Sequence, residues 1–370
     1  MLKFLIPPTF TPTTRSRFRF STFQHSSFCP SVFLLFCAAA LTAQADSPLP
    51  SPPPPQQFQL PTANRALFEK GGEERFFVGT TGKSWESGTF GGVRSGGFQL
   101  HEGLDIRCLE RDKRGEPVDP VMASADGTVV YINRKSSLSN FGIYIILRHQ
   151  VDGIEAYTTY AHLREARQEL REGQPVKAGE RIGTLGRTAN TREGISKERA
   201  HVHFEINLVL SDRFAEWHRK FQKGQRNDHA NWNGQNLRGL DPRLILLAQQ
   251  KEGARFNLAT FVRNQTELCR VQVRDTRFDW LRRYPSLVTR NPVAEKEGVA
   301  GHELVLNYVG VPFQVIPRAA SEMKSKSSVF LLSVNDAERQ RNPSGKLVVQ
   351  RRGKWELTTS GENLISLLTF

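Results

Sequence analysis

His101 and Asp105 lie four residues apart in "GGFQLHEGLDIRC", residues 96–108, directly after a glycine-rich run. An imidazole nitrogen and a carboxylate oxygen are both suitable ligands for zinc. On a strand, positions i and i+4 share a face. A helix would also align them, but Gly103 and the glycines before it disfavour one. Taken alone, the pair fits an ordinary polar face as well as a metal site. A second signal is "AHVHFEI", in which His201 and His203 leave the same face of a strand while Val202, Phe204 and Ile206 turn to the other. Two neighbouring imidazoles suit a core poorly, because each needs a hydrogen-bond partner. They suit one ligand plus one acid/base group. The third is His162 in "YAHL", near the end of a strand pattern. By itself it carries no more than a structural role.

Together the three signals describe one centre. His101, Asp105 and His203 supply two nitrogens and one oxygen, leaving a fourth tetrahedral position for water, as a catalytic zinc site requires. One Zn2+ per chain is expected, with the pKa of its water lowered from about 15.7 to about 7. His162 and His201 remain for proton handling and for stabilising a developing oxyanion.

These residues need a β scaffold. "GTVVYINRK" (127–135), "GIYIILRHQ" (142–150) and "IEAYTTYAHL" (154–163) are β-branched and aromatic runs, and "VDG" joins the last two as a hairpin. "QPVKAGERIGTLG" reads as brief strands and tight turns, and "AHVHFEINLVL" as a long strand. No helical period is sustained from about 60 to 210, so an antiparallel β domain is predicted there, within a domain bounded at 60–250. Residues 211–239 read as an insert, a short helix followed by an irregular loop. "DPRLILLAQQ" reads as a helix capped by Asp241 with Pro242 at its first position. Residues 254–370 alternate strand and helix patterns and form a smaller α+β unit. Its last helix is expected to be capped by Ser360. The predicted class is mainly β.

The chain has 370 residues and a formal net charge of +14. Residues 1–45 carry Lys3, Arg15, Arg17 and Arg19 ahead of "SVFLLFCAAALTAQA", and they read as an export signal; 46–59 follow as a proline-rich spacer. The exported part keeps 47 Lys and Arg against 37 Asp and Glu, a balance suited to anionic surfaces such as wall polymers. No stable membrane span is expected after signal removal. Export makes nucleic acid a poor partner, although "RRYP" (282–285) and "QRRGKW" (350–355) interleave basic and aromatic residues. Cys108 and Cys269 remain after signal removal, too few for a disulfide scaffold, and they are expected to be unpaired.

The order H-x-x-x-D, "YAHL" and H-x-H, with "GTLGRTANTREGISKERAHVHFEI" as a lengthened glycine-rich lead, resembles the lysostaphin-type zinc metallopeptidases, a family that includes the β-lytic endopeptidases. The resemblance spans about residues 75–210. It implies a groove-bearing antiparallel β domain, zinc on His101, Asp105 and His203, and catalytic roles for His162 and His201. It further implies an exported, periplasmic or extracellular, endopeptidase cutting peptide cross-links of peptidoglycan through a zinc-activated water. The alternatives are a regulator of wall hydrolases with a structural zinc site, or a zinc peptidase acting on another peptide. Glu205 shares the face of His203 and reads equally as a partner of that imidazole or a solvated carboxylate. His218 and His229 read as surface or loop-bracing histidines, with a second metal as the alternative, and Trp217 and Trp232 as pinning the loop to the core, with a groove lining as the alternative. His149 and His302 show no partner pattern.

Overall fold

The computed structural model describes residues 57–192 and 194–370. The export signal and most of the proline-rich spacer lie outside the described residues. No helix among the described residues is long and apolar enough to cross a membrane.

The strands, in chain order, are β1 (Gly91–Arg94), β2 (Gln99–His101), β3 (Leu104–Arg107), β4 (Pro120–Met122), β5 (Gly127–Asn133), β6 (Ile143–Val151), β7 (Ile154–Leu163), β8 (Glu165–Ala166), β9 (Pro175–Val176), β10 (Arg181–Thr184), β11 (His201–Val209) and β12 (Leu237–Leu240). β12, β11, β7, β6, β5 and β9 lie side by side in one antiparallel sheet, and β3 pairs with the first half of β11. The β6–β7 hairpin turns at Asp152 and Gly153, both with positive φ, as a two-residue turn matched to strand twist demands. The chain is mainly β, as its sequence pattern predicts. One expectation changes within the insert: its end is no loop, because Leu237–Leu240 pairs with Ile206–Val209 and extends the sheet.

A second sheet follows, ordered β15 (Pro312–Arg318), β14 (Gly301–Leu306), β13 (Cys269–Val273) and β16 (Val329–Val334). One apolar core runs through both sheets, from Phe58 and Leu60 through Ile145, Val202 and Phe204 to Val271, Leu304 and Leu368. The "RRYP" run lies at their junction. Tyr284 is fully buried and its hydroxyl accepts the Val209 amide at 2.9 Å. Arg283 pairs with Glu155 at 2.8 Å and also with Asp212. Both side chains are thus held by contacts within the protein.

Local capping follows the sequence closely at one helix and departs from it at another. Asp241 accepts the amides of Arg243 and Leu244 and starts the helix Pro242–Glu252. The last helix, Thr359–Leu368, is capped by Thr358 and not by Ser360, since the Thr358 hydroxyl reaches the Gly361 amide at 3.1 Å. Cys108 and Cys269 are both buried and free.

His149 has a structural role. Its Nδ1 donates to the Asp126 carbonyl at 2.9 Å and its Nε2 meets Thr158 Oγ1 at 2.7 Å, all beneath the surface. Burial, only partly opposed by Asp126, lowers its pKa from 6.5 to about 4. The folded state therefore binds fewer protons than the unfolded chain between those values. Its stabilising contribution is complete above pH 6.5 and is lost as pH falls towards 4. About 3 kcal/mol of stability should disappear over that window, and denaturant titrations at stepped pH should show the slope flattened in His149→Gln.

Candidate metal centre

Strand register explains the convergence. Within the β3–β11 ladder Asp105 lies directly opposite His203, and His203 lies opposite Ala161 of β7 on its other side. His162, the next residue of β7, has a left-handed backbone with φ 60°. A non-glycine residue there costs about 1–3 kcal/mol and such strain gathers at functional sites. The β6–β7 register shifts between Ile143 and Ile145, beside it.

His101 and Asp105 converge for a reason other than the predicted one. They do not share a strand: β2 ends at His101 and β3 begins at Leu104. The chain bends through Glu102 and Gly103, and a Cβ on Gly103 would stand 2.4 Å from the Phe204 carbonyl oxygen. Glycine is required because β11 passes so close.

His101 Nε2, Asp105 Oδ1 and His203 Nδ1 form a triangle with sides of 3.1, 3.1 and 3.0 Å. All three residues are buried, and their ligand atoms form a group able to hold a metal ion. The outer atoms reveal where the protons lie. His101 Nδ1 is 2.7 Å from the Thr89 carbonyl oxygen, which can only accept, so Nδ1 carries the hydrogen and the neutral ring turns a lone pair inward. His203 Nε2 donates to Glu205 Oε1 at 2.9 Å, which leaves a lone pair on its inner Nδ1. With both rings neutral, three electron-rich atoms face one point, and a cation, either a metal ion or a proton, resolves their repulsion. Tetrahedral zinc ligands at 2.0–2.1 Å would stand about 3.3 Å apart, close to the observed sides. The donor set fits the ion.

The ion-free electrostatics make the same demand. Burial opposes charge on His203, yet Asp105 and Glu205 outweigh it and push the imidazole up to about 10. Burial lowers the pKa of His101, with Asp105 opposing only in part. Burial would raise the Asp105 carboxyl, but His101 and His201 hold it well below the usual carboxylate range. A positive charge is wanted at this point, and a proton on His203 supplies it in the absence of metal.

His201 and His162 sit alongside. His201 Nδ1 donates to the Arg199 carbonyl at 2.6 Å, leaving Nε2 3.4 Å from Asp105 Oδ1. His162 Nδ1 donates to the Thr188 carbonyl at 2.9 Å, so its Nε2 also keeps a lone pair. The two rings stand 4.9 Å apart, and His162 lies 5.9 Å from His203. Burial, reinforced by His201 and His203, holds His162 well below the usual histidine value. Phe141 stacks on His203 at 5.2 Å. All five predicted site residues are therefore brought together.

Some partners were not legible in advance. Arg94 of β1 donates to Asp105 Oδ2 at 2.6 Å while its Nε holds the Ser87 carbonyl. It fixes the carboxylate so that Oδ1 points inward. Thr89 acts through a backbone oxygen, which no side-chain pattern discloses. Of the two readings of Glu205, the structure selects the partner of His203: the carboxylate is 2% exposed and also accepts from Asn207 at 2.7 Å. The residues read as braces are held by these contacts: His218 packs on Phe214 within its own helix. His229 bridges Tyr131 and the Leu138 carbonyl, Trp217 donates to Ser366, and Trp232 packs on Tyr157.

A family model described as "Peptidase family M23" matches residues 99–213. The "Lipoprotein NlpD" of Yersinia enterocolitica is 36% identical over 95 residues, covering 26% of this chain and 84% of that one. The "Murein hydrolase activator NlpD" of Escherichia coli is 37% identical over 127 residues, 34% of this chain and 26% of its own. The "Lipoprotein NlpD/LppB homolog" of Pseudomonas aeruginosa is 35% identical over 126 residues, 34% of this chain and 35% of its own. The chain thus spans about a third or less of the length of the last two. Among solved structures, the catalytic domain of the peptidase lysostaphin from Staphylococcus simulans matches at 20% identity and a TM-score of 0.26, covering 46% of this chain and 88% of that one. By the matched segment and its relatives, the chain belongs to peptidase family M23.

Proposed function

We propose that this protein is an exported zinc endopeptidase that hydrolyses peptide cross-links of bacterial peptidoglycan. In this reading residues 1–45 direct export, 60–250 form the peptidase portion, and 254–370 are a C-terminal α+β unit braced against it. The site faces the periplasm or the wall. One observation supports the reading: the inward-facing ligand atoms of His101, Asp105 and His203 lie beside two further imidazoles, His162 and His201, each anchored through Nδ1 on a backbone carbonyl.

When bound, zinc would polarise the scissile carbonyl and acidify a water at the vacant corner. The chain's own residues do the rest. Thr89 and Glu205 fix the tautomers of the two ligating imidazoles. Arg94 holds the outer carboxylate oxygen of Asp105. His162 and His201 each anchor Nδ1–H on a carbonyl, so their Nε2 atoms can accept a proton from the attacking water, return it to the leaving amine, and donate to the oxyanion meanwhile. Phe141 walls the site and excludes bulk water from His203.

Groups that orient ligands are worth about 10- to 100-fold in metal affinity. Arg94→Met and Glu205→Gln should each weaken zinc retention by that amount in chelator competition, with the fold unchanged by circular dichroism.

A second reading is favoured by specific observations. Two of the relatives are named as murein hydrolase activators, or share that lipoprotein's name, and His101, Asp105, His201 and His203 are only 1–4% exposed. In that reading the metal stabilises a non-catalytic partner of wall hydrolases. Purified peptidoglycan and defined muropeptides, incubated with the full chain with and without chelator and read by mass spectrometry, separate the two. Chelator-sensitive cleavage of a peptide bond supports the enzyme, and intact muropeptides throughout support the activator.

A further inference from the structure

Away from the metal centre, a cavity of about 280 Å³ lies where β12 meets the C-terminal segments. Arg238 lines it from β12, with Leu100 of β2, Trp217, Ser344, Lys346 and Asn363 around it. Two polar atoms here lack partners: Arg238 Nε and Ser344 Oγ are both buried and make no hydrogen bond. Arg238 also makes no ion pair among the described residues. Burial lowers its pKa to about 10, and Glu102 opposes this only at a distance.

Such a group is costly. Arg238 is half-buried and its Nε is the atom cut off from water; a buried donor or hydroxyl without a bond costs about 1–3 kcal/mol. Structures tolerate both in one cavity when a ligand completes them. A guanidinium presents a planar fork that matches the two oxygens of a carboxylate or phosphate, and a serine hydroxyl adds one further donor. Lys346, exposed nearby, adds positive charge. The walls contributed by Leu100, Trp217 and Leu364 accept an apolar group attached to the anion.

We propose that this cavity binds a small oxyanion, a carboxylate or a phosphate, held by Arg238 and Ser344. Arg238 belongs to the first sheet and Ser344 to the C-terminal segment that follows the second, so the ligand clasps that segment to the first sheet. Leu100 directly precedes His101, and occupancy therefore braces the strand that carries one site residue. The inference is independent of what the metal centre does.

The test uses the full chain, with inorganic phosphate and N-acetylalanine as probes against sodium chloride of equal ionic strength. Calorimetry should show saturable one-to-one binding of at least one probe, with a matching rise in unfolding temperature. Binding of phosphate alone identifies a phosphate site, and of N-acetylalanine alone a carboxylate site. Arg238→Met and Ser344→Ala should each weaken binding at least about tenfold, the scale of a lost charge-assisted contact. In chloride alone, Arg238→Met should unfold at the same or a higher temperature than the parent, because a buried donor without a partner has gone. No binding of either probe overturns the proposal, as does undiminished binding by both variants. A lower unfolding temperature for Arg238→Met in chloride overturns it too, since the guanidinium would then already be satisfied.

Discussion

Asp105→Ala is expected to abolish zinc binding and wall-digesting activity together. Oδ1 lies 3.0–3.1 Å from the facing nitrogens of His101 and His203 and 3.4 Å from His201 Nε2, while Oδ2 takes the Arg94 guanidinium. It is the only anion of the ligand triangle, and three imidazoles and one arginine surround it. Without it, two neutral rings and a cation face the ion position, and Arg94 repels whatever cation approaches. A structural zinc site is worth about 10–16 kcal/mol of binding, so losing its only charged ligand should take retention below measurement by plasma emission. Asp105→Asn keeps the shape but offers no charge, and it should fold and fail in the same way. His101→Ala should behave alike. Full activity on purified peptidoglycan in the Asp105 and His101 variants would refute the ligand assignment.

His201→Ala is expected to leave zinc in place and remove turnover by about 10²- to 10⁴-fold, the usual worth of a positioned acid/base group. His201 Nε2 faces Asp105 Oδ1 at 3.4 Å, but the ring anchors on the Arg199 carbonyl through Nδ1, outside the ligand triangle. His162→Ala should lose comparable turnover with metal retained, because its Nδ1 is tied to Thr188. Retained metal with lost turnover must appear together. Loss of metal in His201→Ala would mean that ligand and acid/base are exchanged between the two histidines of the H-x-H pair.

The histidines were legible in the sequence because strand periodicity ties position to face. His201 and His203 leave one side of β11 while Val202, Phe204 and Ile206 enter the core, as the alternation requires. The hairpin at Asp152–Gly153 and the cap at Asp241 were equally legible, since turns and N-caps depend on local chemistry. Other features depend on contacts distant in sequence. The bend at Gly103 follows from the approach of Phe204, about a hundred residues on. Arg94 has no motif of its own and acquires its role only when β1 folds over β3. "RRYP" looks like an anion-binding surface until Glu155, Asp212 and Val209 are known to stand opposite. The cap at Thr358 in place of Ser360 is a two-residue shift between equivalent hydroxyls, which composition does not separate.

The most direct test is a crystal structure of the protein purified with zinc, with anomalous scattering recorded on both sides of the zinc edge. One full-occupancy peak touching His101 Nε2, Asp105 Oδ1 and His203 Nδ1, at about 2.0–2.2 Å from each, is the predicted result. A peak elsewhere with these three atoms bonded only to one another, or no peak in protein that still cleaves muropeptides, would contradict it.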